Sequence, residues 1–261
     1  MAIKFGNASI SKIYLGSNEI SKAYLGSNEV FSSGDTTTFI TTWRTTTSNE
    51  SITIPTFGIG YNYDLTIDGA TYNSTTKAID FDGTDDYAAF SNPTELNFQP
   101  TDSFTLTAVF SLAAIQQFDG NAYDTHVTLF GKGSTGNSVG IGLTRNKTTE
   151  QLRIYAGSRA VSQLTEDYNI TADTIYSATL SYTPTSQKLY VDGKFISSTS
   201  TSGGTGGTFE NISWKIFFPS AVPGGNGKYA EGSIYVARMY DRELSANEVL
   251  QNYNSISLRF D

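Results

Sequence analysis

The sequence has no cysteine and a single histidine, His126. Without cysteine there is no disulfide framework and no cysteine-ligated zinc or iron–sulfur site, and one histidine excludes a multi-histidine metal centre. No apolar run is long enough to span a membrane, and residues 1–12 lack the apolar core of a signal peptide. We therefore predict a chain that is made without a secretion signal and is not inserted in a membrane.

Positive charge is also sparse. The chain has 17 Lys and Arg against 25 Asp and Glu, a net charge of −8. Binding to a phosphate backbone needs clustered Lys and Arg, and no such cluster occurs, which excludes nucleic acid as a partner. A length of 261 residues leaves room for one large β domain and an appendage.

The segment KLYVDGKF, residues 188–195, predicts a central hairpin. Asp192-Gly193 joins two apolar, aromatic runs and fits a two-residue type I′ turn. Such a turn fixes the cross-strand pairs as Val191–Lys194, Tyr190–Phe195 and Leu189–Ile196. Because both faces of this hairpin would be apolar, we expect it inside a layered β structure.

Alternating apolar and polar residues predict further strands, about ten or more in all, joined by glycine-rich connections. They are expected at residues 79–81, 87–90, 104–112, 127–130, 139–143, 152–155, 176–183, 214–218 and 234–240. Residues 39–63 add two or three short strands. The number and spacing of these strands predict an all-β fold, a two-sheet antiparallel sandwich of jelly-roll type.

The C-terminal region contains the one helix signal. Ser245 and Glu248 have the spacing of a capping box, and Leu244 and Val249 have that of the matching hydrophobic staple. We predict a short helix from Ala246 to about Tyr253.

The N-terminal region is an internal repeat with a period of ten residues. Its copies are Gly6-Asn7-Ala8-Ser9-Ile10, Gly16-Ser17-Asn18-Glu19-Ile20 and Gly26-Ser27-Asn28-Glu29-Val30, separated by SKIYL and SKAYL. Each copy predicts a short strand and a tight turn. Such units are too small to close a core alone, so their apolar residues need cover from other copies or a partner protein. The alternative is a satellite sheet packed on the main domain.

Residues 3–31 resemble the N-terminal repeats of bacteriophage structural proteins, which carry tandem YLGxxE(I/V) units. A polar linker at residues 32–38 follows the repeat. We predict an anchoring and oligomerisation module at residues 1–35, a β-rich connecting segment at 36–77, and the main domain at 78–261.

Four motifs in the main domain carry a second resemblance. They are FDGTDDY at residues 81–87, LFGKG at 129–133, LYVDGK at 189–194, and YDREL at 240–244 followed by Glu248. With these motifs the chain resembles the LamG-like group of the concanavalin A-like lectin/glucanase superfamily. The resemblance implies a β-sandwich that typically binds carbohydrate or protein.

Catalytic signatures are missing. Glucanases of this superfamily place their two catalytic glutamates in a Glu-x-Asp-x-Glu pattern on one strand, and this sequence has no such pattern. His126 has no serine or cysteine constellation around it in the sequence. We therefore predict that the chain is not an enzyme and has no catalytic residues.

The sequence offers candidates for two kinds of binding site. Laminin-G relatives often hold one calcium ion, and Asp82, Asp85 and Asp86, or Asp119 and Asp124, could supply oxygen ligands. The first three residues also fit turns that fix the register of the first hairpin, and the chain lacks the dense acidic spacing of a dedicated calcium loop. We therefore predict no cofactor, with a single structural calcium as the alternative. Residues 116–125 and 219–232 mix the Asp, Asn, Gly and Tyr that bind sugars, but they single out no ligand contact.

These observations predict a non-enzymatic structural protein of a bacteriophage particle, of the fibre or decoration type on head or tail. Residues 1–35 would bind other virion proteins and oligomerise, with a trimer favoured, and the LamG-like domain would bind a host-surface glycan or protein. The protein would be located in the virion. The alternative is a bacterial surface or secreted carbohydrate-binding module, which the missing signal peptide disfavours.

Overall fold

The structure is a computed structural model. It describes residues 13–15, 18–20, 22–25, 28–32, 39–43, 52–54, 63–114, 126–133, 138–145, 152–158, 162–201, 208–219 and 229–257. Residues 119 and 124 and most of the two loops expected to bind sugars lie outside these ranges. Within them, no helix is long and apolar enough to cross a membrane.

Twenty strands and one α-helix make up the described part of the chain. The first ten strands are β1 (Ile13–Leu15), β2 (Asn18–Ile20), β3 (Lys22–Leu25), β4 (Asn28–Ser32), β5 (Phe39–Trp43), β6 (Ile52–Ile54), β7 (Tyr63–Asp68), β8 (Thr71–Asn73), β9 (Ala78–Asp82) and β10 (Tyr87–Phe90). The others are β11 (Phe104–Leu112), β12 (His126–Lys132), β13 (Val139–Arg145), β14 (Leu152–Ser158), β15 (Ser162–Asp167), β16 (Tyr176–Tyr182), β17 (Ser186–Val191), β18 (Lys194–Ser200), β19 (Trp214–Pro219) and β20 (Glu231–Tyr240). The helix α1 spans Ala246–Ser257.

Two antiparallel sheets of eight strands each form the sandwich. The first, called the front sheet, has the order β15-β14-β13-β12-β19-β10-β7-β6. The second, called the back sheet, has the order β18-β17-β16-β11-β20-β9-β8, and β5 also pairs with β20. The predicted fold class, a two-sheet antiparallel sandwich with a short C-terminal helix, is confirmed.

Aromatic side chains fill the space between the two sheets. Trp214 is fully buried, and its indole N–H donates to Asn92 Oδ1 at 2.9 Å, which satisfies the only polar group of the ring. Phe104 stacks on Phe98 with ring centroids 5.0 Å apart and on Tyr182 at 4.7 Å. Burial of a side chain such as Phe104, which is fully buried, contributes about 1.5–3 kcal/mol of hydrophobic stabilisation.

The predicted central hairpin is confirmed, with one correction. Asp192 and Gly193 have φ values of 49° and 73°, as a type I′ turn requires. Val191 pairs with Lys194 and Tyr190 with Phe195, but Leu189 pairs with Ser197, because the register shifts between Leu189 and Tyr190. The predicted Leu189–Ile196 pair is therefore wrong. The hairpin is also not buried on both faces as expected, since the Phe195 side chain is 55% exposed.

The predicted terminal helix is confirmed and is four residues longer than expected, ending at Ser257. Ser245 and Glu248 form the capping box, with the Ser245 N–H donating to Glu248 Oε2 at 2.8 Å. Leu244 and Val249 are buried in one cluster with Tyr190 and Tyr240. This cluster places α1 on the outer side of the hairpin.

Residues 36–77 contribute strands to both sheets. β5 pairs with β20 of the back sheet, and β7 pairs with β10 of the front sheet. β1 with β2 and β3 with β4 form two separate two-stranded sheets in the repeat region. The side chains of the repeat are not among those described, and the division at residues 35 and 77 stays a prediction.

Candidate functional site

The outer face of the front sheet carries an aromatic surface. Because side chains alternate along a strand, Trp214 and Ile216 point into the core and are fully buried, whereas Lys215 lies on the opposite face. Lys215 lies directly opposite Ala89 of β10. In the same way, Tyr87 lies on the outer face next to the fully buried Ala88.

The alternation breaks at Phe217, whose φ of +53° is unusual for a bulky residue. Its ring is fully buried and stacks on Phe81 with centroids 4.6 Å apart. The next residue, Phe218, consequently takes the outer face, opposite Thr128 of β12. Backbone strain of this kind costs about 1–3 kcal/mol and occurs most often at functional sites. The position of Phe218, the next residue, is therefore a candidate functional position.

Tyr87, Lys215, Phe218 and Tyr229 meet on this face and are called the outer-face platform. All are partly exposed. The Phe218 ring makes edge contacts with Tyr87 at 5.6 Å and with Tyr229 at 6.3 Å between centroids. The Lys215 ammonium lies 3.4 Å from the centroid of the Phe218 ring and 6.0 Å from that of Tyr87, which are cation–π distances. The platform therefore offers ring surface, two phenol groups and one cation.

The ionisable groups of the platform are perturbed. Partial burial lowers the pKa of Lys215 from its usual 10.5, and no carboxylate counteracts this shift. Hydrogen bonding with the Asp68 carboxylate is the largest of the causes that raise the pKa of the Tyr87 hydroxyl. Within the described residues, the Lys215 ammonium has no hydrogen-bond acceptor and no ion-pair partner.

The carboxylates of Asp82, Asp85 and Asp86 come together, as the calcium hypothesis requires, with ligand oxygens within 4.8 Å of one another. Hard oxygen donors of this kind suit calcium. However, the Asp82 N–H donates to Asp86 Oδ2 at 2.8 Å, and the Thr84 N–H donates to Asp82 Oδ1 at 2.7 Å. Burial and the neighbouring carboxylates raise the pKa of Asp86. These bonds give Asp82 and Asp86 the turn-bracing role that the sequence also predicted.

Two clefts lie elsewhere on the sandwich. One, of about 340 Å³, lies between α1 and the start of β16 and is lined by Asp173, Ser177 and Tyr253. The other, of about 430 Å³, is lined by Asn97, Asp102 and other polar residues. Neither combines several exposed rings with an unpaired charge, so the outer-face platform is the stronger candidate.

Sequence reasoning found only part of this site. Tyr87 was placed in a motif and Tyr229 in a loop expected to bind sugars, but Lys215 and Phe218 were treated only as strand residues. The alternation in Trp214-Lys215-Ile216 does place the lysine outside. The two adjacent phenylalanines that follow are ambiguous, because the positive φ at Phe217 decides which of them is buried. His126 begins β12, and its side chain is outside the described residues.

The fold defines the class of protein as an antiparallel two-sheet β-sandwich. A family model described as "Concanavalin A-like lectin/glucanases superfamily" matches residues 82–250, more than half of the chain. The chain belongs to this superfamily, as its motifs indicated. No curated protein sequence matches it.

Solved structures with the same fold include binding domains and enzymes. The receptor binding domain of botulinum neurotoxin D superposes with a TM-score of 0.63 at 12% identity, over 86% of this chain and 54% of that one. The binding domain of botulinum neurotoxin DC, in complex with rat synaptotagmin II, gives 0.60 at 12% identity over 83% and 51%. A Trypanosoma rangeli sialidase complex gives 0.61 at 15% identity over 92% and 37%.

The prediction that the chain is not an enzyme is contradicted by the presence of sialidases among these structures. That prediction rested on the missing Glu-x-Asp-x-Glu pattern and on the lack of a serine or cysteine constellation for His126, and the fold is shared by binding domains and by enzymes. At 12–16% identity the likeness shows the fold alone, and it gives no positive evidence of activity. The chain spans about half the length of the toxin domains and just over a third of the sialidase.

Proposed function

We propose that this chain is a recognition protein of a bacteriophage particle. Residues 1–35 attach it to other virion proteins, and the sandwich is displayed outward to bind a glycan or protein on the host surface. The observation that carries the recognition role is the outer-face platform, where three partly exposed rings meet and a cation on the Phe218 ring has no acceptor among the described residues. Exposed aromatic side chains with polar tips are typical of binding surfaces.

The platform suits carbohydrate better than a large protein interface. Sugar rings present apolar C–H faces that pack on aromatic rings, and hydroxyls that bond to phenol, carboxylate and ammonium groups. Tyr87 and Tyr229 supply phenols, and Asp68 supplies a carboxylate beside Tyr87. The phage role is supported by the resemblance of the repeat at residues 3–31.

The test is binding of the purified chain to intact host bacteria and to their isolated surface polysaccharide. We expect Tyr87→Ala and Phe218→Ala each to weaken binding at least tenfold, because they remove ring contacts. Phe195→Ala is the matched control, since Phe195 is an exposed phenylalanine of the back sheet. Equal loss in all three variants, or loss only in the control, would place the binding surface elsewhere.

A further inference from the structure

Lys215 is the one charged residue of the outer-face platform. Its ammonium lies against the Phe218 ring at 3.4 Å, and among the described residues no oxygen accepts from it. An ammonium has three N–H donors, and a ring face satisfies none of them with a lone pair. We infer that the outer-face platform recognises an acidic saccharide, whose carboxylate binds the Lys215 ammonium. This inference rests on the proposed function and names the chemistry of its ligand.

The surroundings of Lys215 hold the cation in place before any ligand arrives. The Phe218 ring lies beneath the ammonium, and the neighbouring Trp214 and Ile216 fix the strand by their burial in the core. A lysine that is already ordered loses less side-chain entropy when it binds. A carboxylate on such a lysine forms a charge-assisted hydrogen bond, which is shorter and stronger than a bond between neutral groups.

Other anions fit the platform less well. Nucleic acid and polyphosphate are bound by clusters of Lys and Arg, and the platform has one cation. Single phosphate groups are usually held by arginine forks or by backbone N–H groups at helix N-termini, and the platform consists of strand residues and the adjoining Tyr229. A saccharide uses the rings of Tyr87 and Tyr229 as well as the charge, so it is the anion that engages the whole surface.

Nearby carboxylates restrict where the anion can lie. Asp68 lies beside Tyr87 and raises the pKa of its hydroxyl, and Asp86 lies close enough to Asp68 for the two charges to interact. None of them is close enough to Lys215 to influence its pKa. Screening in physiological salt, over a length of about 8 Å, lets the local cation outweigh the overall charge of −8. The ligand should therefore place its acid group on the Lys215 side and its hydroxyls toward Asp68.

The experiment uses the full chain on an array of uronic-acid and sialic-acid oligosaccharides, each printed beside its carboxyl-reduced counterpart. We expect the chain to bind acidic members at least tenfold more tightly than their reduced counterparts, and Lys215→Met to abolish this preference. Lys215→Arg should retain most of it. Lys194→Met is the matched control, because Lys194 is an exposed strand lysine of the back sheet, and it should bind like the unchanged chain.

The outcomes separate this inference from the proposed function. If acidic and reduced members bind equally and Tyr87→Ala abolishes both, the platform binds glycans and the acidic preference is wrong. An acidic preference that survives in Lys215→Met also overturns the inference. If no glycan binds and intact cells are not bound either, the proposed function fails and the inference fails with it. Circular dichroism of each variant confirms that it is folded.

Discussion

At the scale of single residues, the lysine Lys132 is buried within the sandwich. Its side chain is 2% exposed, and its ammonium donates to Asn97 Oδ1 at 3.0 Å and to the Phe98 carbonyl at 3.2 Å. The Trp214 ring lies 5.2 Å away. No carboxylate pairs with it directly, so burial lowers its pKa to about 8, and the charge of Asp102 opposes this shift only in part.

Lys132 predicts a stability that rises with pH. Between its folded pKa of about 8 and its usual value of 10.5, the unfolded chain binds more protons than the folded chain. The penalty for the buried charge is therefore fully present below pH 8 and is relieved as the pH rises. We expect the free energy of unfolding to increase by roughly 2–3 kcal/mol from pH 8 to about pH 10. Above this, the raised pKa values of Tyr182, Tyr190 and Tyr240 act in the opposite direction.

Denaturant unfolding at several pH values measures this effect. Lys132→Met should largely remove the rise, whereas Lys194→Met, which changes an exposed lysine, should keep it. A rise of the same size in Lys132→Met would show that other groups titrate in this range.

At the scale of elements, α1 is attached to the sandwich along its length, since Val249 and Ile256 are buried and Asn252 donates to the Tyr240 hydroxyl at 2.9 Å. Its first turn adds an ion pair. Arg242 donates to Glu248 Oε1 at 2.6 Å, while Glu248 Oε2 accepts from Ser245. Burial raises the pKa of Glu248, but the bonds to Arg242 and Ser245 outweigh it and hold that pKa below 4.5. The stabilisation is therefore present above pH 4.5 and is lost as the pH falls through the folded pKa.

Glu248→Ala should lower the free energy of unfolding at pH 7 by about 1 kcal/mol, because it removes both the capping box and the pair with Arg242. Gln251→Ala, at an exposed position of the same helix, serves as the control and should change stability little. Thermal unfolding followed by circular dichroism compares the two variants. An unchanged transition in Glu248→Ala would mean that the first turn of α1 contributes nothing.

The hairpin turn offers a second test at this scale. Gly193 has φ of +73°, and a Cβ there would lie 3.0 Å from both Leu250 Cδ1 and Tyr253 Cβ of α1. We expect Gly193→Ala to destabilise the fold by about 1–3 kcal/mol. Asp192→Asn is the matched control, because asparagine accepts positive φ and retains an oxygen for the Ser177 N–H. Equal stability of the two variants would contradict the close packing of α1 on the turn.

Local signals explain which elements could be predicted from the sequence. The Asp-Gly turn, the capping box and the alternating strands depend on neighbouring residues, and the elements that these signals predicted are present. β8 and β15 carry no such signal and were not predicted. The register shift between Leu189 and Tyr190 and the inward turn of Phe217, whose ring stacks on Phe81, also have no local signal. The outer-face platform combines residues of β10 and β19 with Tyr229. Because β10 is distant from β19 in the sequence, no local sequence pattern predicts the platform.

At the scale of the whole molecule, residues 36–77 add strands to both sheets. β5 lies beside β20, β7 lies beside β10, and Leu65 of β7 is fully buried in the core. Removing these strands would expose backbone groups of β10 and β9 and part of the hydrophobic core. The sandwich is thus larger than the region matched by the family model.

Two fragments test whether the sandwich includes residues 36–77. Residues 36–261 should be soluble and β-rich, because every strand of both sheets is retained. Residues 78–261 lack β5, β6, β7 and β8 and should aggregate or unfold at a lower temperature. Size-exclusion chromatography and circular dichroism make the comparison. Equal thermal stability of the fragments would show that residues 36–77 are dispensable for folding.

The repeat region leads to the last prediction. β1 with β2 and β3 with β4 are two-stranded sheets, and in the described pairings neither joins another strand. Isolated two-stranded sheets are only marginally stable in water, and their edges are open to further pairing. Because residues 1–35 also carry apolar residues such as Ile13, Leu15 and Leu25, we expect these residues to oligomerise, with a trimer favoured.

Light scattering on the full chain and on residues 36–261 tests this expectation, since the shorter fragment retains the sandwich strands. Loss of the oligomer on truncation would support self-association through the repeat, with symmetric copies covering the apolar side chains. A monomer in both cases would mean that a different virion protein provides the cover. An oligomer that persists in residues 36–261 would contradict the prediction, because the association would then have to use a surface of the sandwich.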